Sequence, residues 1–189
     1  MNDNSPGIPA GSQTVGPYFQ IGLEYLLDRT PALAPGSAGT IEIRGQGLDR
    51  DCVPVPDAMV EFWSAETLDG GSSVDGVRSG CPAGFRRAAT GEDGKFVAVM
   101  ERPAPVRFND EVRQAPHMLV LVFARGLMRH LLTRVYLSDE KGNDSDPVLM
   151  RIAEERRNTL IARRDVSRAG LYVWNIVLQG TDETVFFAW

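Results

Sequence analysis

The chain has 189 residues, 43% apolar and 24% charged, with a net charge of −5 and a pI near 5.1, which is the balance of a single globular domain. Its basic residues are dispersed, and the densest charged cluster, Glu154, Glu155, Arg156 and Arg157, mixes signs; nucleic acid and anionic membrane are therefore excluded as expected partners. No apolar run approaches the ~20 residues that span a bilayer. The opening MNDNSPGIPAGSQ lacks the basic and apolar regions of an export signal, so a cytoplasmic protein is expected, with Cys52 and Cys81 as free thiols.

In chain order, the first dozen residues are polar and rich in Pro, Gly and Ser, and an extended arm of about residues 1–20 is expected on a single domain covering 1–189. Residues 31–39 read as a loop. Residues 40–44 then alternate, with Ile41 and Ile43 inward and Glu42 and Arg44 outward, and 58–64 (AMVEFWS) is a second strand after the turn-forming VPVPD. The Gly- and Ser-rich stretch 66–82 predicts a long loop. Residues 85–89 and 95–100 flank Gly91-Glu92-Asp93-Gly94, a hairpin signal, and 102–116 predict another loop. The unbroken apolar run 117–124 predicts a buried strand, followed by strands at 131–137, 171–178 and 184–187. Between them, Pro147 with Asp146 as cap, then Val148, Leu149, Ile152, Leu160 and Ile161, predict one short helix near 147–163. The expected fold is all-β, a β-sandwich with one short helix and long loops.

Chemistry is sparse. There is no Gly-x-Ser-x-Gly elbow, no phosphate-binding glycine loop and no closely spaced cysteine pair. His117 and His130 could face each other across a hairpin, but neither lies in a metal-binding motif, and the default for both is structural. The tyrosines Tyr18, Tyr25, Tyr136 and Tyr172 read as core or edge residues, and Asp110 with Glu111 as a solvated loop. Two features are less ordinary. Thr14, Gly16, Pro17 and Tyr18 place a hydroxyl, a tight turn and a ring within a few positions of the arm: either a surface turn or an arm that docks and presents it to a ligand. Arg125 follows the apolar strand, and Arg134 lies inside the next, where a charge is costly unless paired; each is an ion-pair partner of the frame or an anion anchor.

At these residues the chain resembles a known family. SQTVGPYF, PVPDAMVEFWSA, QAPHMLVLVFARGL, LLTRVYLSDE, RRNTLIARR and IVLQGTDETVFFAW are collinear with segments of the intradiol ring-cleavage dioxygenases, from about residue 11 to the C-terminus. The likeness is to the α type of chain, which pairs with a homologous β chain. In that family the β chain holds ferric iron through two tyrosines and two histidines spaced His-x-His. His117 matches the first histidine, but Leu119 stands at the second. Neither expected tyrosine is present, in 66–71 or in ERPAPVRFND.

The resemblance therefore implies no metal ligand set here and Fe(III) in the partner β subunit, because ferric iron needs hard anionic donors. It implies that Thr14, Gly16, Pro17 and Tyr18, with Arg134 or Arg125, close the pocket over that iron. Protocatechuate would chelate the metal and O2 would open its ring to 3-carboxy-cis,cis-muconate. The present chain would supply positioning and electrostatics. Two rival expectations are a purely scaffolding subunit and a stand-alone homo-oligomeric enzyme.

Overall fold

The computed structural model of the chain describes residues 14, 22, 36, 38–64, 84–109 and 111–188. Most regular structure within them is strand: β1 (Thr40–Leu48), β2 (Met59–Ser64), β3 (Phe85–Ala89), β4 (Lys95–Glu101), β5 (Val106–Arg107), β6 (Arg113–Gln114), β7 (His117–Phe123), β8 (Leu131–Leu137), β9 (Ile161–Arg164), β10 (Leu171–Val173) and β11 (Ile176–Val177). Apart from the small β5–β6 pair, the strands form one mixed sheet that nearly closes on itself.

One half runs β3-β2-β7-β8, all antiparallel. In the other, β1 pairs antiparallel with β4 on one edge and parallel with β10 and β11 along the other. β9 joins the halves, parallel to β8 and antiparallel to β10. Inward residues from both halves, including Ile41, Ile43, Val60, Phe62, Phe96, Met118, Val120, Val135 and Tyr172, fill the main core. The all-β expectation holds.

Several local readings change. The GEDG turn forms, with Gly91 N donating to Lys95 O and Gly94 N to Gly91 O, but β3 and β4 diverge after it: β3 pairs with β2 and β4 with β1. It carries the chain between halves, which hairpin chemistry cannot distinguish from a simple hairpin. Gly94 sits at φ +69, and a Cβ there would lie 2.8 Å from Gly47 O, so the position suits glycine alone. Residues 102–116 contain the β5–β6 pair, where Asn109 Oδ1 accepts from Glu111 N and Val112 N. Glu42, expected outward, is buried because Arg44 and Arg168 both pair with it.

The helix predicted near 147–163 is instead a chain of short pieces: 3-10 turns at Leu149–Arg151 and Asn158–Leu160 around a four-residue α-helix, Glu154–Arg157. From Ile161 the chain is strand, with Ile161 and Ala162 paired to Tyr136 and Leu137. Two apolar neighbours suit either period, and the open edge of β8 decides for pairing. Residues 171–178 break into β10 and β11, and 184–187 make only a bridge, Leu132 to Phe187. Apart from Thr14, the arm lies outside the described residues, as does the 66–82 segment. No helix among the described residues is long and apolar enough to cross a membrane.

Gly45 marks the tightest point between β1 and its neighbours. An added Cβ would lie 1.9 Å from Trp174 O and 2.4 Å from the Phe96 ring, and neither the backbone nor the buried ring can yield freely. Gly45→Ala is expected to lower unfolding free energy by about 3 kcal/mol, read as a reduced urea midpoint.

Candidate functional site

The outward face of the β2-β7-β8 half is built by strand alternation. Register places Trp63, Leu119 and Arg134 in one row and His117 beside Tyr136 in the next. Trp63 and Leu119 are 37% and 38% exposed, an apolar strip beside the guanidinium of Arg134. The far side of that group is closed by Phe187, whose ring centre lies 5.9 Å from Arg134 Cζ.

On this same outward face Tyr136 joins a second, smaller core with Ala115, Leu149 and Leu160. Asp146 is fully buried in the same region and collects four donors: Ala115 N on Oδ2 at 2.8 Å, and Val148 N, Leu149 N and the Tyr136 hydroxyl on Oδ1 at 2.9, 2.9 and 3.1 Å. It caps the turn that follows, as the sequence suggests, and also binds β8 and the approach to β7. Saturated in this way, a carboxylate tolerates burial.

Tyr136, its proton committed to Asp146, accepts from Arg134 Nη1 at 3.3 Å, and Gln114 Oε1 accepts from the same nitrogen at 2.6 Å. Burial pushes the Tyr136 phenol up to about 12, so it stays neutral at pH 7. Arg134 meets no carboxylate among the described residues.

The contrast with Arg102 is informative. There Tyr172 also accepts from the guanidinium (2.8 Å) and donates to a carboxylate, Asp139, at 3.0 Å. But Arg102 also contacts Asp139 and Glu140 directly, at 3.0 and 2.6 Å. The same three residue types thus make a neutralised pair at one place and an uncompensated cation at the other.

His117 donates Nδ1–H to Ala115 O at 2.8 Å and stacks near Tyr136, ring centres 5.3 Å apart. Because a carbonyl only accepts, Nδ1 carries the proton, a setting that ligating histidines share. Yet the next outward residue on β7 is Leu119, which has no donor atom. Among the described residues no cluster of three His, Cys, Asp or Glu side chains lies close enough to hold a metal ion. One imidazole beside a leucine and an arginine is a poor fit for ferric iron.

Other sequence-predicted residues lie elsewhere. Arg125 is beyond the far end of β7, paired with Asp57 at 3.2 Å and half exposed, so it does not join Arg134. His130 stacks on Phe123 at the turn end of the β7–β8 hairpin, while His117 faces Tyr136 at the open end; the two histidines do not meet. Thr14 is exposed; Gly16, Pro17 and Tyr18 lie outside the described residues, as do Tyr25, Asp110 and Cys81. Cys52 is a free, exposed thiol. Gln114, Tyr136 and Asp146 were not singled out as site residues from sequence. A buried tyrosine two residues from a strand arginine was the one available signal.

The model of a family described as Dioxygenase matches residues 16–180. The chain is 41% identical over 192 residues to the protocatechuate 3,4-dioxygenase alpha chain of Burkholderia cepacia, covering 93% of this chain and 95% of that one. It is 34% identical to the corresponding alpha chain of Pseudomonas putida, covering 93% and 94%. Among solved structures, the dioxygenase domain of a carbohydrate-binding fusion from Streptomyces sp. SirexAA-E shares the fold, with a TM-score of 0.56 at 18% identity over 96% of this chain and 97% of that one. The chain belongs to the intradiol dioxygenase family, whose chemistry depends on non-heme iron. The Burkholderia and Pseudomonas relatives are both alpha chains, a term that implies a partner chain.

Burial first, and Arg134 next, hold the His117 imidazole below its ordinary value of 6.5. The folded state therefore resists protonation that the unfolded chain accepts, so stability is full above about pH 6.5 and falls as pH drops through the depressed folded value. His117→Gln should flatten the loss of urea midpoint between pH 7 and 5, and the His117 ring resonances should titrate below pH 6.5.

Proposed function

We propose that this chain is the iron-free α subunit of a cytoplasmic protocatechuate 3,4-dioxygenase, completing the pocket of an iron-bearing β subunit. The observation that carries the reading is Arg134: a part-buried guanidinium, oriented by neutral oxygens and without a carboxylate among the described residues. Its unspent charge suits the carboxylate of an anionic aromatic acid, for which the guanidinium fork is shaped. Trp63 and Leu119 beside it offer an apolar wall of the kind a substrate ring requires. Support also comes from the alpha-chain relatives at 41% and 34% identity.

In this reading Fe(III) and the oxygen chemistry belong to the β subunit. This chain binds and orients protocatechuate and excludes water, with Thr14, Gly16, Pro17 and Tyr18 of the arm joining Arg134 at the pocket. Arg125, already paired with Asp57, takes no part. The product is 3-carboxy-cis,cis-muconate.

Co-expression with the β chain, followed by protocatechuate-dependent oxygen uptake, tests this. Arg134→Ala should lower kcat/KM by about 10- to 100-fold, the worth of a charge-assisted contact, with assembly and iron content unchanged. Unchanged kinetics in both Arg134→Ala and Tyr18→Ala would leave a scaffolding role instead. Stoichiometric iron in the chain purified alone would overturn the division of labour.

A further inference from the structure

We propose that Gln114 and Tyr136 are positioning residues that aim Arg134: they hold one terminal nitrogen of its guanidinium by neutral acceptors, so that orientation is gained without loss of charge. This rests on the reading of Arg134 as the anchor of the substrate carboxylate.

The argument is one of hydrogen-bond bookkeeping. Both bonds from Arg134 to side chains leave from Nη1, to Gln114 Oε1 at 2.6 Å and to the Tyr136 hydroxyl at 3.3 Å. Arginine only donates, so Gln114 must present its amide oxygen and Tyr136 a lone pair. Tyr136 has one proton, and Asp146 takes it at 3.1 Å; its lone pair is thereby turned to Arg134. Asp146 also fixes Ala115, the neighbour of Gln114, through the 2.8 Å bond from Ala115 N. One buried carboxylate thus sets both acceptors while making no contact with the guanidinium itself.

An ion pair would also orient Arg134, but it would cancel the charge that an incoming anion needs. Arg102 shows that outcome within this chain: its carboxylates, Asp139 and Glu140, touch it directly at 3.0 and 2.6 Å. With Nη1 anchored on two sides and Phe187 over Cζ, the remaining edge of the fork, Nε and Nη2, meets no side-chain acceptor among the described residues. That edge has the spacing for a bidentate carboxylate.

The test uses the αβ complex. Chains carrying Gln114→Ala, Gln114→Glu, Arg134→Ala or the Gln114→Ala/Arg134→Ala pair are co-expressed with β and checked for assembly and iron. Each is then assayed with protocatechuate and with catechol, the same ring without a carboxylate, using the inhibition constant where catechol only inhibits. Gln114→Ala is expected to raise KM for protocatechuate about tenfold, with kcat within about twofold and the catechol value unchanged. Gln114→Glu keeps the shape but adds a counter-charge, so it should weaken protocatechuate at least as much and spare catechol. The double variant should be no worse than Arg134→Ala alone, because coupled residues are not additive.

Loss of catechol and protocatechuate affinity to the same extent in both Gln114 variants would mean a structural role and overturn the proposal. If Arg134→Ala shifts the ratio of the two substrates but neither Gln114 variant does, positioning fails and the pocket reading survives. If Arg134→Ala itself leaves the ratio unchanged, the pocket reading falls and the proposal with it.

Discussion

The outer side of the β7–β8 half depends on the carboxylate of Asp146, which is fully buried. A bare carboxylate in that place would cost several kcal/mol, and it is tolerated because four donors from three chain segments converge on it. Each of those donors is thereby located. Val148 and Leu149 start the run of short turns that covers β8, Ala115 sets the entry to β7, and Tyr136 is held across from His117. Without this centre the small core of Ala115, Tyr136, Leu149 and Leu160 would have no fixed frame.

The consequence for charge is as important as that for shape. A tyrosine between a carboxylate and an arginine can relay position without relaying neutralisation, provided that the two ions are kept apart. Around Arg102 they touch, and the guanidinium is spent on the frame. Around Arg134 they do not, and the cation remains available beside the exposed strip of Trp63 and Leu119. The same face carries His117, whose Nδ1 donates to Ala115 O in the manner of a metal ligand. With Leu119 outward on the next position, that imidazole has no second donor atom beside it on β7.

Much of the architecture was legible in local pattern. The alternation of Ile41 and Ile43, the run 117–124 and the strand 131–137 each appear as strands, because burial on one or both faces imposes a two-residue period that composition records. What failed were the places where a local signal had two physical uses. The GEDG turn serves a crossing between halves as readily as a hairpin. The apolar residues at 160–162 satisfy a helical stripe until the free edge of β8 claims Ile161 and Ala162. Glu42 looks outward by alternation, and two arginines, Arg44 on its own strand and Arg168 in the loop before β10, allow it to be buried.

The sequence by itself determined the all-β class, the family, the loss of a second histidine at Leu119, and the presence of two strand-associated arginines with possible roles. It did not separate Arg125 from Arg134, since both are basic residues beside apolar strands. Tertiary structure separated them. Arg125 meets Asp57, a residue far away in sequence, whereas Arg134 meets Gln114 and Tyr136, set by a buried aspartate ten residues beyond the tyrosine. Whether an arginine's charge is spent depends on which carboxylates lie within a few ångströms, and such contacts arise only when distant segments pack.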